Sequence, residues 1–395
     1  SLFGASNGVS NTTDTILFIN STDTIRFITG SVNAFTTTQV FRDVSSWYHI
    51  VLAFDTTQAT AANRVKLYVN GSQVTAFSAT SYPTQNSTWY VNSANPHRLG
   101  GYPTSSAYYF NGYITETYLI DGQALTPSSF GMTDPQTGAW IPIKYSGTYG
   151  TNGFYLNFKD ATNTTTLGYD YSGNSNNWTT NNFSVTAGSG NDSLTDVPTP
   201  WIAYNTTGDI GGVVRGNYCT LNPLGNPVLS GMTFSNGNLT VTTSSARQHI
   251  LGTMPLPTTG KWYWECNRGN AVSGYQAAGI ALLNTAITSS PAYNRPYYVW
   301  GYADQGWKIE NGTNTTGYTA STSTSDIWGF AFDASAGTLG CYLNNTLLFT
   351  ISSLTSQYIP YLGTETGCTP SINFGQRPFA YTPPAGFLSL CTTNL

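Results

Sequence analysis

Histidines are the first side chains to consider for catalysis, and the chain has only three of them, His49, His97 and His249. His49 lies in the apolar run WYHIVLAFD, where a structural role is expected. His97 follows Pro96 in a loop pattern, and His249 lies near Arg247. A nucleophile, a base and an orienting carboxylate must meet in one geometry for acyl transfer. No such group can be assembled from this order, so the sequence does not predict a hydrolase triad.

Glutamates are the next candidates, because glycoside cleavage commonly uses two carboxyl groups on either side of one bond. The chain has four: Glu116, Glu265, Glu310 and Glu365. Glu116 and Glu265 lie in strand patterns, where we expect them to accept structural hydrogen bonds, and the other two fall in predicted loops. Nothing in the spacing brings two of them together. We therefore predict that the chain is not an enzyme.

Metal chemistry has weak support. Calcium takes oxygen ligands, and Asp14, Asp23 and Asp55 are possible donors, although Asp55 also suits the start of a turn, which we favour. No loop with the acidic spacing of a dedicated calcium site occurs, so we predict no metal and no cofactor, with Ca²⁺ as the alternative. The five cysteines show no CxxC pair and are expected to be small buried apolar residues: Cys219, Cys266, Cys341, Cys368 and Cys391.

Aromatic side chains beside amides suggest a different chemistry, carbohydrate binding. Sugars stack their C–H faces on aromatic rings while amide groups meet their hydroxyls. The segments TWYVN, AYYFNG and AYNRPYYVWGYADQGW combine Tyr and Trp with Asn, Asp and Gln. A core or a subunit interface would use the same residues. The candidate ligand-binding residues are Trp89, Tyr90, Tyr108, Tyr109, Tyr293, Tyr297, Tyr298, Trp300 and Trp307.

The elements that position these residues are predicted to be strands. Only 8% of residues are charged, against about 25% in an average globular protein. Thr, Ser, Asn and Gly, which favour strands and turns, must supply the polar surface. The 27 Tyr, 19 Phe and 10 Trp favour strands as well. The net charge of −4 and the lack of a basic cluster argue against nucleic-acid binding. No apolar run of membrane-spanning length occurs, so we predict no membrane insertion.

One hairpin pattern occurs twice. The stretch AFDTTQATAANRVKLYVNG, residues 53–71, and the stretch AFDASAGTLGCYLNN, residues 331–345, each carry a strand, an Asp-led turn, a second strand and an Asn turn. We predict that Asp55 and Asp333 begin turns, and that Asn70-Gly71 and Asn344-Asn345 form tight turns with positive φ. In the strand before Asn70, Val65 and Leu67 should face a core.

Strand patterns divide the chain into two domains. Short strands with turn residues between them fill the first part, and regular strands return near Gly216. We predict an all-β fold of two antiparallel, jelly-roll-like β-sandwiches at residues 1–131 and 215–395, the second with a C-terminal tail. Residues 132–214 are predicted to be an irregular connector rich in Gly and Asn, packed on its neighbours by Trp140, Trp178 and Trp201.

Each domain also resembles a known family. WYHIVLAFD, NRVKLYVNG and FNGYITETYLIDGQALT resemble a laminin-G-like, concanavalin-like jelly roll over about residues 1–130. GKWYWEC, AAGIAL, DIWGFAFDASAGTLGCYLNN and the later YIPYLG and SINFG resemble a SPRY domain over about residues 215–380. That jelly roll normally begins with strands before LFGASNG. We therefore expect the chain to be an interior segment of a longer polypeptide whose first strands are missing.

The pairing of the two domains, with phrases such as YLIDGQALTPSSFG and DYSGNSNNW, resembles virion appendage proteins of tailed bacteriophages. The resemblance implies a non-enzymatic protein of the virion surface, a tail fibre or another appendage, that contacts other virion proteins and host cell-surface glycans. It also implies a homo-oligomer, usually a trimer. The alternatives are a capsid decoration or head-fibre protein, and a fibre enzyme that degrades polysaccharide.

Overall fold

The structure is a computed structural model, and it describes residues 1–8, 14–30, 32–44, 46–102, 108–135, 138–198, 216–224, 231–244, 248–269, 276–283, 297–300 (backbone), 308–310, 313–318 and 323–395. Two compact units divide the chain. The first comprises Ser1–Asn181 and Val197–Gly212, and the second comprises Asn182–Asp196 and Val213–Leu395. Residues 132–181, which the sequence assigned to the connector, lie in the first unit.

Thirteen described strands form the first unit. They are β1 Phe3–Ala5, β2 Thr15–Ile19, β3 Thr24–Thr29, β4 Val32–Val40, β5 Ile50–Phe54, β6 Val65–Val69, β7 Ser72–Gln73, β8 Phe77–Thr80, β9 His97–Leu99, β10 Thr117–Leu119, β11 Gly131–Thr133, β12 Trp140–Pro142 and β13 Phe154–Leu156. Single 3₁₀ turns cover Ala61–Asn63, Pro127–Ser129 and Thr166–Gly168. The second of these begins at Thr126 with Pro127 in its first position, because a proline there gives up no hydrogen bond.

Two sheets of the first unit share one core. The larger has the order β8-β4-β3-β2-β1-β9, the smaller has the order β5-β6-β7, and two pairs, β10-β13 and β11-β12, complete the unit. Phe27 and Phe35 from the larger sheet pack in one cluster with Val65 and Leu67 from the smaller. Successive strand residues face opposite sides, and β6 alternates as predicted, with Val65, Leu67 and Val69 buried. The first unit is therefore an antiparallel β-sandwich.

The first of the two matching hairpins forms as predicted. Asn70 and Gly71 have φ of +47° and +80°, which the two central residues of a type I′ turn require. The carboxylate of Asp55 accepts hydrogen bonds from the Thr57 hydroxyl at 2.6 Å, from the Gln58 side chain at 2.7 Å and from the Thr57 backbone N–H at 3.0 Å. These bonds, that of the Thr57 hydroxyl first, hold the pKa of Asp55 below its usual value. Asp55 therefore begins a turn.

Side-chain amides and carboxylates order the Gly/Asn-rich segment that follows. Asp170 accepts hydrogen bonds from the backbone N–H groups of Tyr155 at 2.8 Å and Asn176 at 2.9 Å. Asn174 Nδ2 donates to the backbone oxygens of Gly150 and Gly153. Trp178 and Trp140 pack in this unit through Phe154 and His49, whereas Trp201 lies outside the described residues. The segment has irregular backbone and specific hydrogen bonds.

The second unit is also a β-sandwich. Its described strands are β14 Met232–Ser235, β15 Thr240–Thr243, β16 Gln248–Leu251, β17 Lys261–Asn267, β18 Ala277–Leu282, β19 Tyr297–Trp300, β20 Lys308–Glu310, β21 Thr313–Thr315, β22 Ile327–Asp333, β23 Thr338–Leu343, β24 Thr346–Ile351, β25 Tyr358–Thr364, β26 Ser371–Asn373 and β27 Leu388–Ser389, with a 3₁₀ turn at Thr392–Asn394. One sheet has the order β14-β15-β26-β17-β22-β23-β24 with β27 added beside β17, and the other has the order β16-β25-β18-β19-β20-β21.

The core of this unit lies between its sheets and includes Trp264, Phe330 and Cys341 from one sheet and Ile280 and Leu362 from the other. All five cysteines are free and buried, as predicted. The all-β prediction is confirmed, since the described residues form antiparallel sheets, apart from the parallel β17–β27 pair, and contain no α-helix. No helix in the described part of the chain is long and apolar enough to cross a membrane.

The second matching hairpin also forms as predicted. Asp333 accepts the backbone N–H of Ala336 at 3.0 Å, and Asn344 and Asn345 have φ of +46° and +66°. The Asp333 carboxylate also lies 3.1 Å from Lys261 on the neighbouring strand. The bond from Ala336 is the main reason that the pKa of Asp333 lies below its usual value. Both aspartates that open the repeated pattern are therefore turn residues.

Candidate functional site

Two predicted ligand-binding residues, Tyr108 and Tyr109, form an exposed pair beside β9. Their exposed fractions are 64% and 62%. The chain returns to the sheet at this pair: the Phe110 N–H donates to the Gly100 oxygen at 2.9 Å, and the N-terminal amine of Ser1 donates to the Tyr108 oxygen at 3.1 Å. Large exposed aromatic side chains cost solvation free energy and often mark a contact surface. We call Tyr108 and Tyr109 the tyrosine pair.

Close backbone packing supports the tyrosine pair. A Cβ atom on Gly101 would lie 2.8 Å from Arg98 Cδ and 3.4 Å from a ring carbon of Tyr109, so only glycine lets these side chains approach. Arg98 Nη1 donates to the Tyr102 oxygen at 2.8 Å. The Tyr102 ring meets Tyr108 edge-on at 6.0 Å. The surface thus combines exposed tyrosine rings with a guanidinium group.

A second aromatic group lies around Trp89 and Tyr90. Trp89 Nε1 donates to Ser87 Oγ at 2.9 Å, and Tyr90 Oη accepts a hydrogen bond from Asn7 Nδ2 at 2.9 Å. Trp89 and Tyr90 are half-buried. Each polar atom of these rings therefore already has a protein partner, which favours a structural role over ligand stacking.

His97 organises the loop between these two groups. Its Nε2 accepts the backbone N–H of Asn92 at 3.1 Å, and its Nδ1 lies 2.7 Å from the Asn95 oxygen. A neutral ring with the proton on Nδ1 makes both bonds. Burial lowers the pKa of His97 and so favours that neutral ring. His97 is a structural residue, and Asn92 continues the network by donating to Asp121 Oδ1 at 2.6 Å.

The structure does not bring the four predicted residues of the first unit into one site. Asn7, the partner of Tyr90, follows the β1 end at Ala5, whereas Ser1, the partner of Tyr108, precedes the other end. The ladder from Leu2 to Ser6 spans four residue steps, about 13 Å. The two aromatic groups therefore lie at opposite ends of β1.

The remaining predicted residues belong to the second unit. Tyr293 and Trp307 lie outside the described residues. Tyr297, Tyr298 and Trp300 lie in β19, which pairs with β18. Their positions in a sheet follow from the backbone pairing of Ile280 with Tyr298 and of Ala278 with Trp300.

The glutamates considered for glycoside cleavage have local structural partners. Glu265 is 2% exposed and accepts the backbone N–H groups of Ala380 and Tyr381 at 2.8 and 2.9 Å. Glu116 lies one residue before β10 with φ of +49°, and its Oε2 accepts the Tyr155 hydroxyl at 2.5 Å. Burial raises the pKa of both carboxyl groups. The predicted hydrogen-bonding roles of these two residues are confirmed.

The three aspartates considered for calcium have separate surroundings. Asp14 is fully buried and accepts the Tyr102 hydroxyl at 2.9 Å. Asp23 pairs with Arg42 at 3.0 Å, and Asp55 begins the turn described above. Among the residues that the structure describes, no three His, Cys, Asp or Glu side chains are placed to hold a metal ion.

The first unit matches a known family. Residues 2–129 match the model of the concanavalin A-like lectin/glucanases superfamily. Part of the structure, 40% of this chain, is similar to the PSpry domain of TRIM65, with 16% identity, a TM-score of 0.33 and coverage of 94% of that domain. It is also similar to the SPRY domain of human HERC1, with 18% identity, a TM-score of 0.30 and coverage of 36% and 91%. Comparison with curated proteins found no match.

Sequence reasoning missed the polar neighbours of the aromatic rings. Asn7 and Tyr90 are 83 residues apart, and Asp14 and Tyr102 are 88 residues apart. These contacts depend on the pairing of β1 with β9. Arg98, which follows a histidine in the sequence, gave no signal of its own. Only the sheet order reveals that Arg98 lies beside the tyrosine pair.

Proposed function

We propose that this chain is a non-enzymatic structural protein of a bacteriophage virion, a tail fibre or another appendage, that binds glycans of the host cell surface. The observation that carries the glycan-binding part is the tyrosine pair, two large aromatic side chains held in solvent beside Arg98. Such a surface offers ring faces to sugar C–H groups and polar groups to hydroxyls.

Several further observations support this proposal. The match of residues 2–129 to a superfamily whose description includes lectins agrees with a carbohydrate-binding first unit. The local structural roles of Glu116 and Glu265 agree with a protein that binds without cleaving. The virion assignment rests on the resemblance of the sequence alone.

Multiple copies would strengthen such contacts. Two exposed rings give weak affinity, because they cover only one side of a sugar, whereas tight ligand sites are concave and bury most of the ligand surface. Repetition of the platform in a homo-oligomer, with a trimer as the expected form, raises the effective concentration at a cell surface and converts weak contacts into stable attachment.

The binding test compares variants on immobilised bacterial surface polysaccharides. We expect the double variant Tyr108→Ala and Tyr109→Ala to lose about tenfold in apparent affinity, because both ring faces are removed. The matched control is Tyr171→Ala, which removes a 43% exposed tyrosine elsewhere in the first unit. Equal binding by the double variant and the wild type would contradict the proposed role of the tyrosine pair.

The same polysaccharides separate binding from catalysis. The wild-type protein should release no new reducing ends during prolonged incubation, and their release would instead support a polysaccharide-degrading enzyme. Density of the whole phage particle tests the location: the proposal expects this chain in a tail appendage, and density on the head would support the capsid decoration alternative.

A further inference from the structure

A groove lies in the first unit where the chain leaves the smaller sheet and enters the larger one. β7 ends at Gln73, and β8 begins at Phe77, which pairs with Thr37 on β4. The backbone N–H of Thr38 donates to the Ala76 oxygen at 3.1 Å and fixes the crossing. The groove is open to solvent and has a volume of about 420 Å³, within the range of about 300–1,000 Å³ that is usual for small-molecule sites. We call it the crossing groove.

Five of the six polar side chains that line the crossing groove have no protein partner among the described residues, and Asn70 is the exception. Gln39, Tyr48, Ser72, Gln73 and Thr75 all line it. None of these five side chains makes a hydrogen bond or an ion pair to another residue in the described part of the chain. Amides and hydroxyls that converge on a concave surface without internal partners are free to hydrogen-bond a ligand.

Two neighbouring contacts hold the groove in shape. Asn70, at the tight turn, accepts the His49 backbone N–H through Oδ1 at 2.8 Å. The Tyr48 ring meets the buried Phe41 ring edge-on at 5.5 Å and 88°. One wall and the aromatic ring are therefore fixed before a ligand binds, which lowers the entropic cost of binding.

The chemistry of the lining selects the ligand class. No lining residue carries a formal charge, so a phosphate or carboxylate would meet no cation there. Two glutamine amides offer donors and acceptors, and hydroxyls serve as either. A sugar unit presents hydroxyls that donate and accept and apolar C–H faces that pack on a ring. We propose that the crossing groove binds a neutral saccharide unit.

This site is separate from the tyrosine pair, although it rests on the proposed glycan-binding function. Gln39 lies on β4 and the tyrosine pair lies beside β9, and four strand spacings separate β4 from β9 in the order β8-β4-β3-β2-β1-β9. At about 4.8 Å per spacing the two strands are about 19 Å apart. The two sites are therefore distinct and can be tested separately.

The test follows the side-chain amide resonances of Gln39 and Gln73 in the full-length ¹⁵N-labelled protein, assigned with Gln39→Ala and Gln73→Ala. The probes are maltohexaose, cellohexaose and chitotetraose, each titrated to about 20 mM, with a hyaluronan hexasaccharide as the charged comparison. We expect at least one neutral probe to shift both amides and to saturate with a millimolar Kd. Hyaluronan should shift neither.

Matched variants identify the contacts. Tyr48→Phe keeps the ring against Phe41 and removes one hydroxyl, so binding should weaken about threefold to tenfold. Tyr82→Phe removes a hydroxyl that does not line the groove, and Tyr109→Ala removes a ring of the tyrosine pair. Neither of these two should change the shifts of the glutamine amides.

The outcomes separate this inference from the proposed function. If no neutral probe moves the Gln39 and Gln73 amides, or Tyr48→Phe binds like the wild type, the crossing groove is not a saccharide site. Polysaccharide binding that Tyr109→Ala weakens would still support the tyrosine pair in that case. If the glutamine amides do not shift and Tyr109→Ala does not weaken polysaccharide binding, both proposals are overturned. If the amides shift and Tyr109→Ala leaves polysaccharide binding unchanged, the groove is supported and the tyrosine pair is not.

Discussion

Gly71 provides the strictest test of how the crossing groove is built. It lies at the turn that places Asn70 and Ser72 in the groove, with φ of +80°. A Cβ atom there would lie 2.4 Å from Trp140 Cε3. The Trp140 ring also donates through Nε1 to His49 Nδ1 at 3.0 Å. Gly71→Ala therefore forces a left-handed alanine and displaces a hydrogen-bonded tryptophan.

The expected cost has two separable parts. A left-handed conformation costs an L-residue about 1–2 kcal/mol, and forcing an atom into a packed contact costs about 1–3 kcal/mol. Gly122→Ala isolates the first part, because Gly122 also has φ of +80° and no atom lies within 4 Å of its Cβ position. Gly131→Ala isolates the second, because its Cβ would lie 2.5 Å from Trp140 Cε2 without a positive φ.

We expect Gly71→Ala to destabilise the first unit by about 3–4 kcal/mol, Gly131→Ala by about 2 kcal/mol and Gly122→Ala by about 1 kcal/mol. Native-state hydrogen exchange of the β5 and β6 amides measures the free energy of opening in this unit. A loss in Gly71→Ala within about 0.5 kcal/mol of the loss in Gly122→Ala would refute the role assigned to Trp140.

Acidification should weaken the loop held by His97. Because burial lowers the pKa of His97 below its usual value of about 6.5, its contribution to stability is complete above that pH and is lost as the pH falls towards the folded-state pKa. We expect the Asn92 amide to lose protection from hydrogen exchange between about pH 7.5 and about pH 5.5. His97→Gln has no imidazole to titrate, so an equal loss of protection in this variant over the same pH range would contradict the role of His97. All five thiols are buried, and burial raises the pKa of Cys219 to about 11, so we expect them to react with Ellman's reagent only after the protein is unfolded in denaturant. If fewer than five thiols react in denaturant without a reductant, the cysteines do not all occur as thiols.

Local sequence predicted the strands and tight turns well, for a physical reason. The Asn70-Gly71 turn and the turn-starting role of Asp55 depend on contacts within a few residues. The alternation of Val65, Leu67 and Val69 depends only on the two-residue period of a strand. Such features are encoded where they occur, and the same rules predicted the second hairpin at Asp333.

The candidate sites were less predictable because they depend on sheet order. TWYVN and AYYFNG look alike in sequence, but Tyr90 is tied to Asn7 while Tyr108 and Tyr109 stay in solvent. The crossing groove gave no sequence signal at all, because Gln39 comes from β4 and Gln73 from β7. Aromatic composition locates candidate segments, but only the tertiary contacts decide which rings a ligand can reach.

In a chain with 8% charged residues, sequence alone also does not tell which amide side chains are bonded within the protein and which are available to a ligand. Asn174 and Asn176 both donate to the backbone oxygen of Gly153 and order an irregular segment. Gln39 and Gln73 make no such bond to another residue that the structure describes, and both are exposed in the groove. Because exposed amides bond to water in the free protein, a ligand that replaces this water can use both as donors and acceptors, and this availability depends on tertiary contacts that residue type alone does not reveal.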